Sequence, residues 1–193
     1  MQALLAASRW IDAATRFIGQ WVAWLVVVAA VISAGNAVFR KIFDLSSNAW
    51  LELQWWLFAA MFLLAAPWTL AVNEHIRIDI VNERMPRWAR NVIEVIGHLF
   101  FLLPMAGLVA YTSWGFFLSS WEQNEQSSNY GGLPQWPIKL LIPVAFALLF
   151  VQGISELIKR IAIINGDLPE DRFDSGHPAA GPDAGHLSTD QKS

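Results

Sequence analysis

The side chains whose types could do chemistry are the ionisable and amide groups that stand in or beside long apolar stretches: Glu52 and Gln54, His75 and His98, Gln152 and Glu156. In lipid such groups are costly, and they mark ion paths, proton relays or cofactor ligands. Two histidines can hold a haem iron as axial ligands. His98 stands early in an apolar run but His75 lies in a charged loop, whereas haem helices offer their ligands from inside a bundle. A hydrogen bond to a neighbouring helix or a headgroup is the better reading for both. Glu156 has Lys159 and Arg160 three and four residues further on, so an ion pair within one helix accounts for it. Glu52 lies near a span's end, where water is available. Gln152 remains as the buried amide, suited to bonding between helices. No chain of acidic residues runs through the apolar stretches, so this chain alone offers no route for a charged solute.

Other chemistry is missing too. There is no HExxH, no GxSxG, no Gly-rich phosphate loop and no carboxylate pair facing one cavity. The chain has no cysteine, which removes disulfides, thiolate nucleophiles and Cys-ligated metals. His177 and His186 have no neighbours of the right type for a metal site. The expectation is a protein that is not an enzyme, holds no cofactor and binds no nucleic acid.

The elements that must position these residues are membrane spans. Only 15% of the 193 residues are charged, against about 25% in soluble domains, and the charge falls between four apolar runs. These are Ile18 to Phe39, Leu53 to Val72, Val95 to Leu118 and Ile138 to Ile158. Each has about 20 residues, enough to cross roughly 30 Å of hydrocarbon as a helix. Strands are excluded, because no alternating ten-residue segments occur and lipid forbids open sheet edges. Before the first run, Leu4, Ala7, Ile11, Ala14 and Ile18 recur at helical spacing with Ser8, Arg9, Asp12 and Arg16 between them. This predicts an amphipathic interfacial helix over 1–17. That segment and the length of the apolar run speak against a cleaved signal peptide. The expected organisation is therefore an interfacial helix over 1–17, a four-helix transmembrane domain over 18–160 and a disordered tail over 161–193, rich in Pro, Gly, Ser and Asp.

Basic residues set the orientation. With the N-terminus inside, Arg9, Arg16, Arg77, Arg84, Arg87, Arg90, Lys159, Arg160, Arg172 and Lys192 lie inside, and Arg40, Lys41 and Lys139 outside. The positive-inside rule then puts both termini in the cytoplasm. Tryptophans agree: Trp50, Trp55, Trp56, Trp121 and Trp136 gather at the outer ends, and Trp10, Trp21, Trp68 and Trp88 at the inner ends, where amphipathic rings belong. Ala30 with Ala34, Ser33 with Ala37, and Gly97 with Gly107 offer small surfaces for helix packing. Glu52, Gln54 and Gln152 join Ala30 and Ala34 as candidate packing or partner contacts. Pro67, Pro104 and Pro143 predict kinks.

Two loops stand out. Between the second and third runs, "NEHIRIDIVNERMPRWARN" alternates Ile76, Ile78 and Ile80 with Arg77 and Asp79 before a basic turn. Arg84, Arg87, Trp88 and Arg90 read there as a lipid headgroup anchor. The longest outer segment, "SSWEQNEQSSNYGGLPQWP", carries Glu122, Glu125, Tyr130 and Trp136. It reads either as a Gly-Pro turn with a belt tryptophan or as a docking rim for a transient partner.

In their order and spacing, "ELQWWLF", "HIRIDI", "GGLPQWPIKLLIP" and "LLFVQGISELIKR" resemble the small membrane subunit, DctQ-like, of tripartite ATP-independent periplasmic (TRAP) transporters. The likeness covers most of Ala14 to Arg160 and leaves out the tail. The "NYGGLPQWP" form is similar to a branch associated with uptake of mannitol, chloroaromatic compounds or 2-oxo acids. The resemblance implies an inner-membrane scaffold that works with a large membrane subunit, which holds the organic-acid and Na⁺ sites and moves as an elevator, and with a periplasmic substrate-binding protein. It implies no substrate-binding residue in this chain. The rival reading is the membrane anchor of a haem- or quinone-linked redox enzyme.

Overall fold

In a computed structural model of the chain, the described residues are 2–44, 47–72 and 87–166, with the side chains of Arg87, Trp88 and Arg90 excepted. Among them the regular structure is helical, with one isolated bridge between Gln126 and Pro134. Helix α1 is Gln2–Ala23, α2 Leu25–Phe43 and α3 Asn48–Ala71. Helix α4, Arg87–Ile96, passes through a π-helical turn, Gly97–Leu102, into α5, Leu103–Glu122; α6 is Trp136–Ile164. Four stretches are long and apolar enough to cross a membrane: Gln2–Phe43, Asn48–Ala71, Asn91–Glu122 and Trp136–Ile164. The first of these joins α1 to α2 with only a turn at Trp24 between them, beyond the boundary expected after residue 17.

The spans form an open row. Helix α2 packs on α3, α3 on α6, and α6 on α5, while α1 lies against both α3 and α6. The row therefore runs first, second, fourth, third span, and α6 is its hub. What lies inside is mostly small or polar: Ala29, Ala106, Ala145 and Ala162 are buried, as are Ser8, Thr15, Ser113 and Ser155, with larger apolar exceptions at Val22, Pro67 and Leu70. Large apolar groups face out; Phe62 is 77% exposed and Phe101 73%. In water this arrangement would oppose folding. In lipid it is the expected one, because tails solvate large apolar groups and small residues let helix backbones approach. Gly153 shows how tight the hub is: a Cβ there would sit 2.9 Å from a Leu102 methyl.

The helix breaks follow from local chemistry. Pro104 lacks an N–H and its ring crowds the carbonyl four residues back. The helix answers by winding one turn wider just upstream, with the Leu103 N–H bonded to the His98 carbonyl. At the end of α5, Asn124 takes a left-handed φ of 45°, and the Glu125 N–H closes on the Ser120 carbonyl at 3.0 Å.

Helix α1 crosses the row steeply. Ser8 meets Ser155, and Thr15 meets Gln152. Seven residues of α1, about 10 Å, thus match three residues of α6, about 4.5 Å. Eleven residues after Ser8, Gly19 reaches Trp68 of α3, where a Cβ would lie 2.6 Å from the indole. The face of α1 turned to the row is Ser8, Thr15, Gly19 and Val22. The apolar series predicted from Leu4 to Ile18 is not that buried face; Leu4 is 51% exposed, and Trp10, Phe17 and Trp21 are exposed with it.

Candidate functional site

Two polar clamps organise the row, one near each end of helix α6. The first joins α1 to α6. Lys159, Glu156, Ser155 and Gln152 lie on one stripe of α6, at spacings of three and four residues. Opposite them, Ser8, Asp12, Thr15 and Gly19 form a stripe on α1. Gln152 is fully buried. Its carbonyl accepts from Thr15 Oγ1 at 2.8 Å, and its amide donates to Asp12 Oδ1 at 2.8 Å and to Glu156 Oε1 at 3.0 Å. Ser155 Oγ donates to Asp12 Oδ1 at 2.9 Å and shares a 2.6 Å hydrogen bond with Ser8 Oγ. The Lys159 ammonium donates to Asp12 Oδ2 at 2.9 Å and to Glu156 Oε1 at 2.5 Å. Beside this cluster Arg160 pairs with Glu94 of α4 and donates to Asn91 Oδ1 at 3.3 Å. The polar groups are turned toward one another, which is how charge is tolerated at membrane depth.

The second clamp holds the loop between α5 and α6. Glu52, on the first turns of α3, is 5% exposed. One of its oxygens accepts from Ser127 Oγ, and also from Asn129 Nδ2 at 2.9 Å. The other accepts the Leu133 backbone N–H at 2.7 Å. The loop doubles back through the Gln126–Pro134 bridge, and its tip closes with the Gly132 N–H on the Asn129 carbonyl at 3.0 Å. Gly131 supplies a left-handed φ of 70°. At Gly132 a Cβ would lie 2.7 Å from Glu52 Oε1, so only glycine lets the turn close over the carboxylate. Asn48 Nδ2 donates to the Tyr130 carbonyl at 2.9 Å. Tyr130 itself is 99% exposed.

The remaining rim residues are engaged differently. Glu125 pairs with Lys139 of α6, whose ammonium also lies 4.0 Å from the centre of the Phe116 ring. The Lys139 ammonium holds the Glu125 carboxyl below its ordinary range. Trp136 stacks edge-on against Trp121, with centroids 4.6 Å apart. Glu122 is exposed.

These contacts sort the residues singled out by sequence. Gln152 is buried and bonds between helices, and Glu156 pairs with Lys159. Arg160, offered as a second partner for Glu156, turns to Glu94 instead. Glu52 is not left to water; a loop covers it. Gln54 is half-buried, and Ala30 and Ala34 are exposed, while the neighbouring Ala29 faces the chain's interior. Arg84 lies outside the described residues. Arg87, Trp88 and Arg90 stand on α4. His75 also lies outside the described residues, and His98 bonds through Nδ1 to the Glu94 carbonyl at 2.7 Å. The redox-anchor reading gains no support from this geometry, and among the described residues no group of histidine and acidic side chains could hold a metal.

Sequence reasoning missed Asp12, Ser8, Thr15, Ser155, Asn91 and Glu94. A signal existed in the matching polar stripes of α1 and α6.

The arrangement couples elements and fixes a loop. Among the described residues it sets no nucleophile against a base. A family model described as the DctQ component of tripartite ATP-independent periplasmic transporters matches residues 29–162. No curated protein and no solved structure gives a match. The match begins within α2 and ends near the close of α6, so it takes in the open row and the loop clamp; this chain belongs to the DctQ family, the small membrane component of TRAP transporters.

Proposed function

We propose that this chain is the immobile scaffold of a TRAP transporter in a bacterial inner membrane, importing a small organic acid with Na⁺ from a periplasmic binding protein. The observation that carries the reading is the open row. A closed bundle would bury its spans against one another, whereas this row leaves broad apolar surfaces on α2, α3 and α5 for a large partner and for lipid. Its polar groups are spent on internal clamps rather than lined along a path. With both termini cytoplasmic, α1 lies at the inner face, and its outward Trp10, Phe17 and Trp21 enter the headgroup region. Arg84, Arg87, Trp88 and Arg90 anchor the same side through anionic lipid. Ala30 and Ala34, on a face of α2 that the chain leaves exposed, suit close approach by a helix of the large subunit. The rim formed by Glu122, Tyr130 and Trp136 receives the binding protein.

The test is co-expression with a large TRAP subunit and its binding protein. The chain should co-purify with the large subunit, and proteoliposomes holding the pair should take up solute only with the binding protein and a Na⁺ gradient. Uptake by liposomes holding this chain alone would overturn the reading, as would haem absorbance in the purified protein.

A further inference from the structure

We propose that Glu52 is the positioning residue of a preformed docking loop, and that the binding protein contacts the tip of that loop at Tyr130. The inference rests on the docking reading above and names its contact and its support.

The argument begins with an imbalance. The backbone around Tyr130 is fixed on three sides: Glu52 takes donors from Ser127, Asn129 and Leu133, Asn48 takes the Tyr130 carbonyl, and the Asn129–Gly132 bond closes the turn. The ring is fixed by nothing and stands 99% exposed. A loop that served only to join α5 to α6 needs no buried carboxylate to hold its tip, and an aromatic needed only for packing would lie on its neighbours, as Trp121 does on Trp136 and Phe117. A large amphipathic side chain held on a rigid turn is how a protein contact is prepared: tyrosine offers much area with few rotors to freeze, and a prefixed backbone removes the ordering cost at binding. Burying Glu52 is tolerated because each oxygen has a donor. All of those donors come from the loop, so the carboxylate's environment and the loop's shape stand or fall together.

The partner's chemistry follows from the rim. Around the tip are amides and hydroxyls, Asn129, Ser128 and Gln126, with Glu122 as an exposed carboxylate. Such a surface fits a transient, polar partner in the aqueous phase rather than a helix in lipid. The occupant is therefore the binding protein and not the large subunit.

A photo-crosslinking amino acid placed at position 130 of the full transporter, expressed with its binding protein, tests both parts. The expected adduct is with the binding protein. Glu52→Gln, which removes the charge and one acceptor at nearly constant size, should lower the adduct yield several-fold while the amount of membrane complex stays constant. Should that variant reduce the complex itself, Asn48→Ala loosens the same tip with Glu52 intact, and its adduct yield decides. An adduct with the large subunit or with a second copy, or none in a complex that assembles, overturns the docking contact. An unchanged adduct yield in an assembled Glu52→Gln complex overturns the role of Glu52, and an unchanged yield in Asn48→Ala overturns the need for a fixed tip; either leaves the contact standing. Failure of the scaffold reading would show separately, as loss of co-purification with the large subunit in the unmodified chain.

Discussion

The Lys159 ammonium lies 2.9 Å from an Asp12 carboxylate oxygen, across 147 residues of sequence. It is an ionic contact between α1 and the hub helix, and it stands in a cluster with Glu156, Gln152 and Ser155. Lys159 is 7% exposed while the Asp12 side chain is 28% exposed, so the pair sits at the rim of the buried cluster. Breaking a buried ion pair leaves one charge unpaired, which is far costlier than removing both.

Lys159→Met, which takes the cation from both Asp12 and Glu156, should therefore destabilise the chain by about 3 kcal/mol; Asp12→Asn, which leaves Lys159 its Glu156 partner, should cost less, and the double variant less than the two together. Thermal unfolding in detergent, followed by size-exclusion recovery, measures this. Strict additivity would mean that the contact does not couple the helices.

Gly19 is predicted to be intolerant. A Cβ would stand 2.6 Å from two Trp68 ring carbons and 2.7 Å from the Trp68 Cβ, so Gly19→Leu must push α1 off α3. Overpacking of this kind costs about 1–3 kcal/mol. Gly35, with nothing within 4 Å of a Cβ, supplies the control: Gly35→Ala should leave thermal stability unchanged or raised.

These contacts also show what was legible in the sequence. The four spans could be read because lipid demands about 20 apolar residues in a row, a local property. The clamps could not. Ser8 and Asp12 were visible with Arg9 and Arg16 as the polar side of an amphipathic helix, but the pattern does not say which of them meet water and which a neighbour. Here Ser8 and Asp12 pack against α6, while Arg9 and Arg16 stay exposed. Glu52 was read as a residue near water because its partners Ser127, Asn129 and Leu133 lie 75, 77 and 81 residues away. The open row, too, depends on which spans pair, and nothing local to α2 or α5 states that each lies at one end.

Pro104 gives a prediction in which propensity and geometry disagree. Alanine is better than proline inside a helix by about 3 kcal/mol, so Pro104→Ala should stabilise if only local winding mattered. The π turn it enforces, however, sets the rotation of α4 relative to α5, and with it the pairing of Glu94 with Arg160. Closing the wide turn would rotate α4 by about 100°, one residue's worth. Pro104→Ala should thus fail to raise the melting temperature, and Pro104→Ala combined with Glu94→Gln should cost less than the sum of the two singles.

Acid should loosen the loop through Glu125. Lys139 holds its carboxyl below the ordinary value of 4.5, so the tether is fully present above that value and is lost as pH falls through the lower folded one. Hydrogen exchange of the Gln135 N–H, which donates to the Glu125 carbonyl at 2.8 Å, should not show added opening between neutral pH and the ordinary glutamate range once intrinsic rates are divided out. Below it, opening should increase. Lys139→Met should remove that acid step.

The two carboxylates of the α5–α6 rim should separate cleanly in a charge-reversal experiment. Glu125 is occupied by Lys139, so Glu125→Lys sets two cations against each other and should disturb the loop itself, whatever meets it. Glu122 is exposed and its side chain makes no hydrogen bond or ion pair among the described residues, so Glu122→Lys alters only the field at the rim. Rim charges act on association rate and its salt dependence more than on dissociation. Glu122→Lys should therefore slow uptake at limiting binding protein, and the defect should shrink both as binding protein is added and as salt screens the field, at a Debye length of about 8 Å in physiological salt. Glu125→Lys should show a defect that added salt does not repair. If Glu122→Lys leaves uptake unchanged across the whole titration at low salt, with normal complex yield, the rim does not steer the binding protein, and Tyr130 would have to act by contact alone.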